Sequence, residues 1–345
     1  MFGKKAFVRM LILIVGVVLS FANCDIGEDD DNGNGGDGSS GNPFTVSSKE
    51  GWDNVRSIIR SGENNKEYTI TIAGNFSIPG SSGMYSNLFG SKYNVKVTMV
   101  GNHTISLSSS GYMFLIDSGN TVTIKDITLK GFAANNNMVV YNSGGNFIMQ
   151  GNSSIVENIG GCGVYMGSGT FTMQDNSSVK NNNSHSNHSG GGVFVGSRSI
   201  FTMKDNSSVS GNISTSSGGG GVCLYNVGTF IMQDNSSVSN NSVLNNGYST
   251  GGGGVYLGPG ATFTMLGGII SGNNAFGRGG GIYLDGGTFN KTGGIVYGKD
   301  EGSNSNISTQ GNVIYDRYSF TGYRWRGITA GQNINTADND FWLND

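Results

Sequence analysis

Residues 190–195 read GGGVFV, and residues 200–209 read IFTMKDNSSV. The same block recurs with small changes along the chain, at residues 139–156, 161–179, 219–238, 252–270 and 279–296. The first apolar residue of each copy follows that of the previous copy by 24 to 33 residues. Self-similarity at this period is typical of a solenoid, in which each repeat buries its apolar face only against its neighbours.

Each block predicts three short strands whose side chains alternate between inside and outside. In the copy at residues 161–179, the inward positions are Val164, Met166, Phe171, Met173 and Val179. The glycine run before the first strand suits a tight corner where coils approach closely. Crossovers between parallel strands are overwhelmingly right-handed. The fold class that we predict is therefore all-β, a single right-handed parallel β-helix over residues 68–310.

The two ends of this solenoid depart from the repeat. Residues 44–67 are interpreted as a short helical cap over the N-terminal edge, because an open edge strand invites aggregation. Apolar residues recur at helical spacing within this segment, at Trp52, Val55, Ile58 and Ile59. Toward the C-terminus the pattern decays, and Lys291 takes the place of an inward methionine. The aromatic-rich residues 311–345 are interpreted as a C-terminal cap or tail.

The N-terminus has the charge order of an export signal. Three basic residues precede an apolar run at residues 10–19, which is short for a membrane-spanning helix. Residues 1–23 are interpreted as a lipoprotein-type signal peptide, and Cys24 resembles the lipidated cysteine of bacterial lipoproteins. The alternative is an ordinary signal peptide whose cleavage removes Cys24 or leaves it as a free thiol. The acidic, glycine-rich residues 24–43 predict a flexible tether to an outer membrane or cell surface.

Composition narrows the possible binding partners and the possible disulfide bonds. Charged residues make up 12% of the 345 residues and the net charge is -3, so there is no basic footprint for nucleic acid. Apart from Cys24, the chain has only Cys162 and Cys223. They occupy different repeat positions two coils apart, roughly 10 Å along the axis, which is too far for a disulfide.

The repeat blocks resemble those of a known family. The Gly-Gly-Gly-Val-Tyr and Phe-Thr-Met…Asn-Ser-Ser-Val blocks look like those of bacterial right-handed β-helix repeat proteins of the pectin-lyase-like superfamily, over about residues 65–310. Many of those proteins are surface lipoproteins. The blocks are also similar to the repeats of polymorphic outer membrane proteins, although Asn176 follows Phe171 by five residues rather than three. The resemblance implies a β-helix and, from the second family, adhesion.

One outward position carries an aromatic side chain in most copies. In chain order this position holds Tyr141, Tyr165, Phe194, Cys223, Tyr256 and Tyr283. Aromatic residues aligned on an external face could form a flat platform for sugar rings or a protein partner. In the alternative interpretation, the variable loops fold over this face and the rings pack beneath them.

Polar residues also align, and most favour a structural role. Asp175, Asp205 and Asp234 recur one per coil, either as a Ca²⁺ ladder or as exposed turn residues. Their neighbours predict a hydrogen-bonded asparagine ladder, made of Asn152, Asn176, Asn206 and Asn235. His185 and His188 have a spacing that could bind a metal, although histidines in a polar loop are usually solvated. We expect no bound metal and no cofactor.

These patterns predict a non-enzymatic, lipid-anchored surface protein that binds glycans or proteins. The expected partners are a membrane, through the lipid, and an extracellular glycan or protein, with the chain itself monomeric. The alternative is a carbohydrate-active β-helix enzyme, a lyase or a hydrolase, which needs close carboxylates and a base. An enzyme should break its repeat where it places that cleft, whereas this chain is most regular in its middle.

Overall fold

Equivalent strands of successive repeats pair in parallel and in register, which makes the chain a parallel β-helix. The computed structural model describes residues 35–81, 88–185, 190–216, 218–245, 251–299, 301–309, 313–317 and 325–326. The predicted signal peptide, Cys24 and His188 lie outside these residues. The predicted fold class is confirmed, and the hand of the coil stays a prediction.

The first two strands of each coil form one sheet of 17 strands. Column 1 stacks the first strands, which are Phe114–Ile116, Val193–Val195, Val222–Leu224, Val255–Leu257, Ile282–Leu284 and Ile314–Asp316. Column 2 stacks the second strands, which are Phe44–Val46, Glu67–Ile72, Lys96–Gly101, Thr121–Lys125, Ile200–Met203, Thr229–Met232, Thr262–Met265, Thr288–Lys291 and Trp325–Arg326. Val140–Gln150 and Val164–Met173 run through both columns and join them.

The rest of each coil forms two smaller sheets. Column 3 has nine strands, which are Phe76–Ile78, Thr104–Leu107, Thr128–Lys130, Ser154–Val156, Ser178–Lys180, Ser208–Ser210, Ser237–Ser239, Ile269–Ser271 and Ile295–Val296. Column 4 was not predicted. Its strands have two residues each and are Ile159–Gly160, Asn183–Ser184, Ile213–Ser214, Ser242–Val243, Asn274–Ala275 and Ile307–Ser308.

The interior is filled by columns of like side chains, as the repeat predicts. Six phenylalanine rings stack from coil to coil with centroids 4.6–5.0 Å apart, and they belong to Phe147, Phe171, Phe201, Phe230, Phe263 and Phe289. The methionine two residues after each of the first five is also fully buried. Lys291 pairs with Met265 in register and is buried in the same column, where desolvation lowers the pKa of its amino group.

The predicted helix forms at the N-terminal end, as Lys49–Ser61. The Ser48 hydroxyl accepts a hydrogen bond from the main-chain N–H of Gly51 and caps the helix. Trp52 enters the core and its ring lies 5.9 Å from that of Phe114. Ile58, which shares the predicted spacing, is instead 43% exposed because it lies off the face shared by its buried neighbours. Among the described residues, no helix has the length and apolar character needed to cross a membrane.

Two asparagine ladders run along the coils. The predicted one lies on the exposed surface, where the Nδ2 of Asn176, Asn206 and Asn235 each donates to the Oδ1 one coil earlier, over 3.3–3.4 Å. The second was missed by the sequence reasoning and is completely buried, at Asn182, Asn212, Asn241, Asn273 and Asn306. In the first four, the main-chain N–H and Nδ2 both donate to Oδ1 of the next asparagine, over 2.8–3.0 Å.

We predict that Asn212→Ala destabilises the fold far more than Asn206→Ala. The first substitution leaves the buried main-chain N–H of Asn182 without its acceptor, at about 1–3 kcal/mol for an unpaired group, and also removes one of the bonds of the Asn182 Nδ2. The second removes only exposed contacts, and surface substitutions usually change stability by less than about 0.5 kcal/mol. Urea unfolding of both variants measures the difference, and equal midpoints would contradict a structural role for the buried ladder.

Candidate functional site: an outward aromatic column

Outward side chains of column 1 and its flanks form a continuous stack of rings, called here the aromatic column. Ring centroids of successive members are 4.5–6.5 Å apart. Its members are Tyr112, Tyr141, Tyr165, Phe194, Tyr225, Tyr256, Tyr283 and Tyr315. The structure thus brings together all five aromatic residues predicted from the sequence and adds three.

The column stays unbroken at the coil where the repeat position holds Cys223. Tyr225, two residues further on, supplies the ring there, 6.5 Å from Phe194 and 6.0 Å from Tyr256. The equivalent positions in the flanking coils are Gly196 and Gly258, so no side chain competes for the space. The strict alternation of the strand, with Cys223 and Tyr225 both outward, was the signal that could have identified this residue.

The rings stack face to face and do not form a flat platform. From Tyr165 to Tyr315, neighbouring rings are inclined by only 9–25°, so each ring turns its face toward the next ring. Tyr141 is the exception, since its ring meets that of Tyr165 edge-on at 71°. A sugar stacks on the face of an aromatic ring, so this geometry offers edges and hydroxyl groups along most of the column.

The column has an open half and a covered half. Tyr141, Tyr165 and Phe194 are half-buried, and Tyr225 is 36% exposed. By contrast, Cys223, Tyr256 and Tyr283 are buried together in a separate apolar cluster. The predicted outward residues therefore differ in exposure, and Tyr256 and Tyr283 are placed away from solvent.

Glycine main chain closes over the covered half. A Cβ on Gly251 would lie 2.6 Å from Cδ2 of Tyr283, and one on Gly279 would lie 2.9 Å from its Cβ. In an earlier coil, a Cβ on Gly190 would lie 3.2 Å from the Cβ of Cys223. Real side chains do not fit at the first two distances, which explains the glycines at positions 251 and 279.

A polar cluster lies at the covered end. The Tyr256 hydroxyl donates to Asp285 Oδ2 over 2.8 Å, and Arg317 Nη1 lies 3.2 Å from the other carboxylate oxygen. Burial, with the nearby Asp285 charge, raises the pKa of Tyr283 to about 12, and burial with the Asp285 hydrogen bond also raises that of Tyr256. The buried Tyr283 hydroxyl has no hydrogen-bond partner among the described residues. These phenols are held neutral and have a packing role.

The aligned aspartates serve turns. Asp175, Asp205 and Asp234 have φ near +55°, and each Oδ2 accepts a main-chain N–H from the preceding coil over 2.8–3.1 Å. This arrangement supports the turn interpretation over a Ca²⁺ ladder. Within the described part of the chain, no three His, Cys, Asp or Glu side chains converge as a metal site requires. Cys162 and Cys223 are both free and buried, so the predicted absence of a disulfide is confirmed for this pair.

No family model, no curated protein and no solved structure matches this chain. Its function is therefore inferred from the geometry of the aromatic column.

We predict that the protein loses stability between pH 9 and about 12 as buried groups ionise. The folded-state pKa of Tyr283 is raised from 10.0 to about 12, chiefly by burial, and that of Cys223 from 9.0 to about 12 for the same reason. A raised folded-state pKa gives stability that is complete below the unfolded-state pKa and is lost as pH rises through the folded-state value.

Tyr283→Phe should therefore flatten part of this decline while leaving stability at neutral pH nearly unchanged, because the hydroxyl that it removes has no partner. Thermal unfolding followed across this pH range measures both effects. Parallel pH profiles for the two proteins would contradict the prediction.

Proposed function

We propose that this chain is a non-enzymatic cell-surface protein that binds an extracellular glycan or protein through the open half of the aromatic column. The observation that carries the proposal is the unbroken stack of rings whose N-terminal members, Tyr141, Tyr165 and Phe194, remain partly exposed. Aromatic residues on an open face are typical of recognition surfaces, because they bury large areas at low entropic cost.

A binding role also suits the rigidity of the scaffold. Column 1 fixes each backbone position through parallel pairing on both sides, and stacking fixes each ring. A surface that is ordered before it binds loses little conformational entropy on binding. The open half therefore presents a preformed strip that runs along the coil axis.

The polar groups that could have served catalysis are engaged in the scaffold. Asp175, Asp205 and Asp234 bind main-chain N–H groups, and Asp285 binds Tyr256. This supports a non-catalytic role over the alternative of a polysaccharide lyase or hydrolase. Release of uronic acid from pectin-like polymers by the purified protein would overturn the non-catalytic part of the proposal.

We predict that Tyr141→Ala, Tyr165→Ala and Phe194→Ala each weaken binding to the ligand identified on a glycan array or a panel of purified extracellular proteins. Each variant removes exposed ring area, and truncation of an aromatic anchor commonly costs about 2 kcal/mol or more of binding energy. Biolayer interferometry on the immobilised ligand measures the loss.

Tyr93→Ala is the matched control for these variants. Tyr93 is 58% exposed and lies outside the aromatic column, so its removal should leave affinity unchanged. Equal affinity of all four variants and the unchanged protein would place the binding surface elsewhere.

We also propose that Cys24 carries a lipid that holds the β-helix at an outer membrane or cell surface. Support comes from the sequence, in which Lys4, Lys5 and Arg9 precede the apolar run at residues 10–19 and an acidic, glycine-rich segment follows Cys24. That order places a soluble spacer between a lipid and the first coil.

The anchor predicts that cells expressing the unchanged chain incorporate radioactive fatty acid into it and that Cys24→Ala abolishes the label. A Cys162→Ala variant is the control, because that buried thiol is not expected to be acylated. Equal labelling with Cys24→Ala would contradict lipidation, and protease treatment of intact cells would report which side of the membrane the coils face.

A further inference from the structure

The corner between columns 1 and 2 needs a left-handed residue, and two coils place costly side chains there. Four coils share a four-residue corner, at residues 117–120, 196–199, 225–228 and 258–261. The third residue of each has positive φ, and these residues are Gly119 (+81°), Arg198 (+58°), Val227 (+58°) and Gly260 (+73°). Glycine takes this conformation without strain, whereas a β-branched residue there is a genuine outlier.

Among the described residues, no packing or ionic contact compensates for the backbone strain at Val227 and Arg198. Val227 is 54% exposed, so its side chain gains little from burial, and Asn226 before it also has positive φ, at +46°. Arg198 is exposed as well, and it belongs to no ion pair or hydrogen bond found among the described residues. Strain that the fold itself does not use is commonly kept at sites of function.

The two strained residues lie in the coils where the open half of the aromatic column meets the covered half. They occupy equivalent positions in adjacent coils, since Ile200 pairs with Thr229 two residues after each of them. Tyr225 begins the corner that contains Val227, and Ile200 begins the strand that follows the corner with Arg198. Ile200 is itself 43% exposed. A cation, an aromatic ring and two aliphatic side chains are therefore all exposed within two adjacent coils.

We propose that this corner patch, made of Tyr225, Val227, Ile200 and Arg198, is the anchoring point for a protein partner. The partner segment would place a carboxylate on Arg198 and an apolar side chain against Val227 and Ile200. This inference rests on the proposed binding function and narrows its ligand to a protein.

The chemistry of the patch favours a protein over a glycan. Tyr225 stacks between Phe194 and Tyr256 at 25° and 18°, so its faces are partly covered and its edge is offered. Exposed aliphatic groups such as those of Val227 and Ile200 match apolar side chains, and sugars present few of these. Tyrosine and arginine are also the residues enriched at the energetic centres of protein interfaces.

The local charge of the patch favours a carboxylate on the bound segment. Arg198 is exposed and forms no ion pair among the described residues. An exposed cation without an ion-pair partner attracts a carboxylate placed directly on it and disfavours a basic group there. We therefore expect the bound segment to combine an acidic residue with adjacent apolar residues.

The test selects random peptides displayed on phage against the full-length chain. Enriched peptides should carry Asp or Glu next to a large apolar residue. Their affinity, measured by titration calorimetry, should fall roughly tenfold or more for Arg198→Gly and for Val227→Gly, as for other central interface residues. Both variants should melt no lower than the unchanged protein, because glycine accepts the positive φ without strain.

Leu244→Ala is the control, since Leu244 is 54% exposed and outside both the corner patch and the aromatic column. Failure to enrich peptides, enrichment of basic peptides, or unchanged affinity for both glycine variants would overturn the inference. If the glycan alginate binds instead, and Tyr165→Ala lowers its affinity, the proposed binding function is supported and the proposed protein partner is contradicted. If neither the peptides nor alginate binds in a way that depends on Tyr165 or Arg198, the proposed binding function and the proposed protein partner are both contradicted.

Discussion

The structure depends on the register in which each coil places its side chains directly over the same side chains of the coil before. Phe171 lies on Phe201, and Asn182 bonds to Asn212, because the strands that carry them pair residue for residue. Each coil therefore satisfies its own apolar and polar groups only through its neighbours. A shift by a single residue would turn every inward side chain outward, so the register is under strong constraint from both the core and the buried amides. The register constrains the inward side chains, so the outward side chains are less constrained by it.

The sequence predicted those parts of the fold that repeat with a short local period. The alternation of Phe171 with Thr172 and Met173 was sufficient to identify the inward columns, and the glycine runs marked the closed corner. The buried ladder was missed although its signal is regular, with Asn212 three residues after the inward Val209. Asparagine is usually read as a turn residue, and only the three-dimensional coil shows that its side chain crosses into the interior, where the next asparagine accepts its hydrogen bonds.

The candidate site was predicted only in part, for a different physical reason. The outward direction of Tyr165 and Tyr256 follows from strand alternation, but their exposure depends on segments of variable length that do not repeat. Glycines such as Gly251 let main chain approach the covered rings, whereas no glycine of the described residues approaches the half-buried Tyr165 as closely. Ring orientation was equally invisible in the sequence, because neighbouring rings choose between a flat and a stacked arrangement through their mutual contacts.

The buried asparagine ladder also bears on how a protein of this kind can change its length. The links between its amides all run the same way, because each of the first four asparagines donates to the Oδ1 of the asparagine in the following coil. Duplication or loss of a whole coil joins a donor end to an acceptor end and restores every bond. A change by part of a coil leaves a buried amide without its partner, unless the extra residues loop out at a corner. The ladder therefore makes the coil the natural unit of evolutionary growth, while the corners absorb insertions of any size.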